Sequence, residues 1–512
     1  MAIALSLSRM ALLKKLAGET AIYGLSSILG RVVNWIILTP YLTRVFLREE
    51  YGIVNDLYFW IALLLVVFTY RMETAFFWFA SRSRKDSGDE KYDQDTVFST
   101  ASLAIIGTTL ALTGLLFYLS PQIAIWLKYP GRADYVRIFT LIIAFDALAA
   151  IPFAKLRMAS RPLRFAAIKL GALALNILLV FFFLEGCPWL LAHGYDVVNS
   201  IYNPEHRIAY VFWSNLLASG ASLLWLAPLY RDLVWRFATD LWRSMLNYAL
   251  PLVIAAVAGI VNQLAGPTLL KNFAGGSTLE NLDLGGLYGA AAKLAVLMNL
   301  FVQAFNYAAE PFFFRQSAVS QDKIIYADVA RAFALVGSLA FIGIMFYLEL
   351  IQIFLGEDYR EGLGILPILL VANFFLGLFY NFSIGYKLTD QTRWAGYIAL
   401  LGTIITLVFN IIFIPSMNIY APAWASLICF FTMTVAGYWL TRKLWPVDYK
   451  LGRMVYYLLM ALGGWGLTLL AAELVPDQMA YRLIANSIIL FLLLGILYKT
   501  EVNWLRKALG RA

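Results

Sequence analysis

The sequence contains few of the side chains on which metal binding and disulfide frameworks depend. Its two cysteines, Cys187 and Cys429, exclude a disulfide scaffold and a CxxC metal site. Its two histidines, His193 and His206, argue against a histidine-ligated metal centre, and we expect no cofactor. Charged residues make up only 14% of the chain, against about 25% in soluble domains. This shortage of charge argues against a soluble protein.

Hydrophobic residues make up 61% of the 512 residues and occur in long blocks. A helix needs about 20 mostly apolar residues to cross a bilayer. The sequence therefore predicts an all-α polytopic membrane protein with about 14 transmembrane helices. The predicted spans lie near 20–41, 53–79, 97–119, 135–153, 166–184, 208–230, 247–269, 285–314, 332–351, 364–385, 394–414, 421–440, 454–472 and 483–498.

Lysine and arginine are distributed unevenly between the two sides of this predicted topology. Of the 40 basic residues, 27 fall on the side that carries both termini, nine on the other side and four within spans. Because short cytoplasmic loops are enriched in lysine and arginine, the richer side is predicted to be cytoplasmic. The net charge of +9 thus reflects topology, and we expect no nucleic-acid partner.

An internal repeat relates the second and eighth predicted spans. Residues 51–77 and 288–314 match at nine of 27 positions, including the pattern Phe-x-Tyr-x-x-Glu-x-x-Phe-Phe. The offset covers six spans, an even number, which predicts two pseudo-symmetric six-helix lobes plus two extra helices. The predicted segments are an amphipathic cytoplasmic N-terminus 1–19, an N-lobe 20–230, a cytoplasmic linker 231–246, a C-lobe 247–440, a cytoplasmic loop 441–453, two further spans within 454–498 and a basic cytoplasmic tail 499–512.

Three basic residues within the spans are candidate substrate ligands. A charge at the bilayer centre costs about 2.5–3.5 kcal/mol on insertion scales, so it normally faces protein or a wet cavity. Arg31, Arg71 and Lys293 therefore predict a cationic cavity for an anionic head group, and arginine suits phosphate because its planar fork donates two bonds. The alternative is that these charges pair within the helix bundle.

Four acidic residues in the spans are candidates for ion coupling or for structural pairing. They are Asp146, Glu73, Glu310 and Asp56, which occupies the repeat position of Lys293. Arg31 could pair with Asp146 or Asp56. Because Arg71 and Glu73 are two residues apart, their side chains should point in different directions on a helix, and we expect each to have another partner.

The loops contain one further candidate site. Lys155 and Arg157 belong to a basic cytoplasmic loop that anchors the topology and could attract a phosphorylated substrate to the cytoplasmic mouth. The longest outer loop, 185–207, contains His193 and His206 and is interpreted as a solvated loop. With outer loops this short, and with none of the Walker A, GxSxG or HExxH motifs, we expect no enzymatic activity.

Several stretches resemble the Wzx-like oligosaccharide flippases among bacterial polysaccharide-biosynthesis transporters, within the multidrug/oligosaccharidyl-lipid/polysaccharide exporter (MOP) superfamily. These stretches are residues 70–77 (YRMETAFF), 286–293 (GLYGAAAK), 308–313 (AAEPFF) and 386–390 (YKLTD). The resemblance covers about residues 12–500. It implies a multi-pass protein of the bacterial cytoplasmic (inner) membrane.

The resemblance also implies a function. Such a protein moves an undecaprenyl-diphosphate-linked oligosaccharide from the cytoplasmic to the periplasmic leaflet by alternating access, for O-antigen, capsule or exopolysaccharide assembly. The head group would enter between spans 1, 2, 7 and 8. Expected partners are the lipid-linked oligosaccharide, membrane lipid, a polysaccharide polymerase and glycosyltransferases. The alternatives are another cargo on the same fold, such as lipid II or a small molecule, a membrane glycosyltransferase or polymerase, and a non-transporting scaffold.

Overall fold

The computed structural model describes residues 29–82, 92–319, 323–389, 391, 393–474 and 478–508, and their regular structure is helical. The predicted amphipathic N-terminus 1–19 lies outside these residues. The helices are α1 (29–45), α2 (Arg48–Thr69), α3 (Met72–Arg82), α4 (Gln94–Tyr118), α5 (Ser120–Trp126), α6 (Ala133–Met158), α7 (Pro162–Phe181), α8 (Cys187–Ala192), α9 (Arg207–Leu226), α10 (Thr239–Leu264), α11 (Gly266–Phe273), α12 (Thr278–Val319), α13 (Ile324–Phe346), α14 (Leu348–Ile351), α15 (Leu366–Phe382), α16 (Ile384–Leu388), α17 (Arg393–Met417), α18 (Tyr420–Leu444), α19 (Leu451–Leu474) and α20 (Met479–Ala508).

Thirteen segments of the described chain are long and apolar enough to cross a membrane. Each overlaps one of the predicted spans from the second to the fourteenth. The first predicted span, 20–41, lies partly outside the described residues, and its described part belongs to α1. These findings confirm an all-α polytopic membrane protein with about 14 transmembrane helices.

The chain divides into two compact units. The first comprises Met1–Leu38 and Glu50–Thr268, and the second comprises Thr39–Glu49 and Leu269–Ala512. The first unit thus contains α10, which packs against α3 and α4, and α19 and α20 belong to the second unit. The predicted boundaries of the N-lobe and C-lobe stay a prediction.

Charged residues at helix ends show why the spans of the first unit begin and end where they do. Asp93 caps α4 by accepting a hydrogen bond from the backbone N–H of Thr96 at 3.1 Å. The hydrogen bonds from Thr96 lower the pKa of the Asp93 carboxyl below its ordinary value. In α6, Asp134 occupies the first turn, and Lys155 and Arg157 occupy the last. This arrangement complements the helix dipole.

Small and hydroxyl residues hold the helices of the second unit close together. A Cβ atom at Gly377 of α15 would lie 2.1 Å from the Phe333 ring of α13, so only glycine allows this approach. The Thr434 hydroxyl of α18 donates to the Phe375 carbonyl of α15 at 2.7 Å. Since lipid tails are as apolar as side chains, close packing and interhelical hydrogen bonds of this kind stabilise membrane helix bundles.

Candidate functional site

The second membrane-spanning segment is broken into two helices. It runs from Arg48 to Ser81, but α2 ends at Thr69 and α3 begins at Met72. Between them, Tyr70 and Arg71 have φ angles of 33° and 57°, in the left-handed region that residues other than glycine rarely adopt. Such strain persists only where the surrounding structure stabilises it, and it clusters at functional sites. Broken membrane helices are also typical of binding sites in transporters.

The break brings Arg71 and Glu73 together. Arg71 Nη1 lies 3.2 Å from Glu73 Oε1. The sequence prediction that these side chains point apart is wrong, because it assumed a continuous helix through residue 71. The left-handed residue redirects the Arg71 side chain, and Glu73 occupies the first turn of the new helix, α3. A carboxylate is favourable at that end of a helix.

This ion pair leaves hydrogen-bonding capacity on both partners. The Arg71 side chain is 40% exposed and that of Glu73 is 18% exposed. Arg71 Nε and Glu73 Oε2 are buried, and neither has a hydrogen-bond partner among the described residues. A buried polar atom left without a partner costs free energy. An incoming anion that accepts from the guanidinium would therefore gain a charge-assisted bond at a prepositioned donor.

A second polar cluster lies within the first unit, around Asp146 of α6. Asp146 interacts with the Ser219 hydroxyl of α9 and with the charge of Lys169 of α7. Ser219 lies 3.5 Å from Asn215, whose side-chain amide donates to the Tyr58 hydroxyl of α2 at 3.3 Å. The polar side chains of this cluster thus come from four spans, and they include an acid and a base.

Asp56 is held by hydroxyl groups. Its two carboxylate oxygens accept hydrogen bonds from Tyr129 at 2.8 Å and from Thr268 at 2.6 Å, and the residue is fully buried. Burial, and then the charge of Asp56, raise the pKa of Tyr129 well above its ordinary value, so Tyr129 remains a donor. These contacts favour the structural reading of Asp56.

The remaining predicted residues have more varied surroundings. Arg31 is exposed on α1 and Lys293 is half-buried in α12, and each makes an interaction within the protein. Glu310 belongs to α12, but its side chain lies outside the part that the structure describes. Lys155 pairs with Asp232 at 2.9 Å and lies 3.8 Å from the centre of the Phe98 ring, whereas Arg157 is exposed.

The sequence analysis did not identify the partners of Asp146. Asn215 and Ser219 are four residues apart, so they share one face of α9, and this polar pair in an apolar span was a usable signal. Lys169 is a basic residue inside a span, and its position alone marks it as a candidate. The role of Tyr58 depends on helix packing, which the sequence does not reveal.

Solved structures share this fold. The lipid II flippase MurJ, in an inward closed conformation, aligns with a TM-score of 0.68 and 14% identity, over 94% of this chain and 99% of its own. An inward-facing multidrug resistance MATE family transporter of the MOP superfamily aligns at 0.59 and 13%, over 83% and 94%. A MATE transporter of Vibrio cholerae aligns at 0.55 and 15%, over 85% and 97%. No protein-family model and no curated protein sequence matches the chain. The chain therefore has the fold that these flippase and transporter structures share.

Proposed function

We propose that the protein is a flippase for an undecaprenyl-diphosphate-linked oligosaccharide, acting in surface polysaccharide assembly by alternating access. The observation that carries this proposal is the intramembrane guanidinium of Arg71 at the break between α2 and α3. The likeness of fold to a lipid II flippase supports the same class of activity. The protein is then a transporter of the bacterial inner membrane rather than an enzyme, with both termini in the cytoplasm.

Arg71 supplies the chemistry that a diphosphate head group needs. The head group loses hydration when it leaves the cytoplasmic surface, and a charged group in a low-dielectric site must regain those interactions from protein. The guanidinium of Arg71 has several donors in one plane, and the ion pair with Glu73 through Nη1 holds it in position. Release then requires only that the phosphate oxygens be exchanged for water on the other face. Arg31 and Lys293 are proposed as further ligands on the sequence argument.

Asp146 is proposed as the coupling residue. Lys169 and Ser219 would interact differently with an ionised and with a neutralised Asp146. Gain of a proton or a cation at Asp146 would therefore rearrange the contacts of α6, α7 and α9. Such a rearrangement lies within the first unit and involves three of its spans. Glu73, Glu310 and Asp56 are proposed to serve structural pairing.

The cytoplasmic approach of the substrate is proposed to involve the 155–164 loop. Arg157 is exposed, and its charge would contribute to the long-range attraction of a phosphorylated lipid. Lys155 pairs with Asp232. The proposed partners are the lipid-linked oligosaccharide, surrounding membrane lipid, and the polymerase and glycosyltransferases of the same assembly system.

The variant Arg71→Ala tests the proposal most directly. In a strain that depends on this protein for polysaccharide export, Arg71→Ala should abolish surface polysaccharide and leave lipid-linked oligosaccharide in the inner leaflet. Arg71→Lys, which keeps the charge without the planar fork, should restore part of the export. Arg243→Ala, at an exposed site in the second turn of α10, is the matched control. Normal export by Arg71→Ala, at wild-type protein levels, would contradict the proposal.

The fold likeness to a lipid II flippase favours lipid II as the second candidate cargo. Both cargoes place a diphosphate beside Arg71, so the Arg71 variants do not separate them. Purified protein in proteoliposomes should therefore be given each lipid in turn, with enzymatic access to the head group as the readout. If the protein moves lipid II faster than the oligosaccharide lipid, lipid II is its cargo and the first proposal is wrong on this point.

A further inference from the structure

A cavity of about 500 Å³ lies within the first unit, and its lining includes neither Arg71 nor Asp146. It opens between the last turn of α4, the beginning of α6 and the beginning of α9. Its lining combines charged, histidine and aromatic side chains with a few aliphatic ones: Phe117, Gly131, Arg132, Asp134, Arg137, Ile138, Leu141, His206, Ala209, Tyr210 and Trp213.

The basic residues of this cavity stand out in the sequence. The charge count predicts that this end of the spans faces away from the cytoplasm, where only nine of the 40 basic residues fall. Three of those nine lie within ten residues, Lys128, Arg132 and Arg137, and the two arginines line the cavity. Because basic residues are disfavoured on that side, topology gives no reason for this concentration.

The two guanidinium groups are held in place by neighbouring side chains. Arg137 Nε donates to the Ser120 hydroxyl at 3.1 Å, which fixes the plane of the group while using one of its several donors. The Arg132 guanidinium carbon lies 5.6 Å from the centre of the Tyr135 ring. Asp134 adds one carboxylate, so the two arginines leave the lining with a net positive charge.

Aromatic residues complete the cavity on the side of the membrane. Trp213 is 41% exposed, and Phe117 and Tyr210 lie beside it in the lining. Tryptophan and tyrosine concentrate where the hydrocarbon core meets the lipid head groups. The cavity thus combines arginines that suit phosphate with aromatic side chains of the kind that face lipid head groups.

We propose that this cavity binds the phosphate of a lipid head group at the outer membrane surface. Arg132 and Arg137 would take the phosphate oxygens, His206 would add a hydrogen bond, and the acyl or prenyl chain would leave past Trp213. The Arg71 site is separate. Tyr129, two residues before Gly131 of the lining, donates to Asp56 of α2, and α2 continues for another thirteen residues, about 20 Å, before it ends at Thr69 beside the break. The proposal does not depend on transport.

Native mass spectrometry of the purified full chain tests this proposal. The protein is titrated separately with phosphatidylglycerol, with undecaprenyl diphosphate and with inorganic pyrophosphate. Arg132→Gln and Arg137→Gln should each weaken binding of the phosphate-bearing lipids about tenfold, the effect expected from losing a charge-assisted hydrogen bond. Lys128→Gln removes an equal charge from the same segment outside the lining, and it should bind lipid as the wild type does.

Two further comparisons complete the test. Ser120→Ala removes the structural bond of Arg137 while keeping its charge, so binding that survives in Ser120→Ala but not in Arg137→Gln assigns the effect to the guanidinium. Stronger binding of undecaprenyl diphosphate identifies the carrier lipid as the occupant, and equal binding identifies bulk phospholipid. Unchanged lipid binding in both arginine variants, or binding of pyrophosphate alone, would overturn the proposal. Phosphatidylglycerol is not the proposed cargo, so loss of its binding in the arginine variants is read independently of the proposed flippase activity.

Discussion

The two repeat-related spans, α2–α3 in the first unit and α12 in the second, have different backbones. The residues that break the second span, Tyr70 and Arg71, correspond to Tyr307 and Ala308, and α12 continues through that point as one helix of 42 residues. Alanine is the best helix former, so the copy in α12 has no local reason to stop. One copy keeps a regular helix, and the other uses the same position to present a guanidinium.

The two units also differ in the surroundings of their buried acidic side chains. In the first unit, Asp146 belongs to a polar network within the spans. In the second unit, Glu501 is 1% exposed and pairs with Arg331 of α13 and Arg453 of α19, thereby tying α20 to both helices. Glu501 therefore serves to hold three helices of the second unit together. We propose Asp146 of the first unit, in contrast, for coupling.

The largest expected effect concerns this difference between acids. Asp146→Asn should remove the dependence of transport on a proton or sodium gradient, because the amide has one charge state. The measurement is uptake or flipping in proteoliposomes with and without an imposed gradient. Glu501→Gln is the matched variant in the second unit, and it should lower the melting temperature while leaving gradient dependence intact. Gradient-dependent transport by Asp146→Asn would remove Asp146 from the coupling role.

The next largest effect concerns the repeat position that holds Asp56 in α2 and Lys293 in α12. Substitution of Asp56 should lower stability, and substitution of Lys293 should lower transport. Asp56→Asn replaces one carboxylate oxygen, which accepts a hydrogen bond, by an NH2 group, which only donates. One of the two buried hydroxyl groups that donate to Asp56 then faces another donor. We expect a loss of about 1–3 kcal/mol in the free energy of unfolding. Thermal unfolding in detergent measures it. Lys293→Met should instead reduce transport. If Asp56→Asn unfolds like the wild type, its hydroxyl contacts contribute little to stability.

Sequence alone predicted the fold well, since long apolar blocks specify spans and the uneven distribution of basic residues constrains their number. It also marked Arg71 and Asp146 as candidates, because a charge in an apolar block is conspicuous, and their roles stay a prediction. It did not predict the break at Tyr70 and Arg71, because neither residue is a proline or glycine and the apolar pattern runs through them. Side-chain partners such as Ser219 depend on helix packing, which one sequence does not specify.

The smallest effect tests the backbone difference itself. Arg71 adopts a left-handed φ of 57°, which glycine reaches without the steric cost of a Cβ atom. Arg71→Gly should therefore keep or raise the melting temperature, by the equivalent of up to about 1 kcal/mol, although the Arg71–Glu73 pair is lost. It should nevertheless abolish transport, because the guanidinium is gone.

The matched variant in the continuous copy has the opposite expectation. Ala308→Gly places glycine inside α12 and should lower stability by about 0.5–1 kcal/mol while transport continues. Melting temperatures in one detergent, together with polysaccharide export, give both readouts. If Arg71→Gly proves less stable than Ala308→Gly, the ion pair with Glu73 outweighs the strain in the backbone, and the break is maintained by that pair. If both are destabilised equally, the two spans do not differ energetically at this position, and the break must be imposed by packing from elsewhere in the first unit.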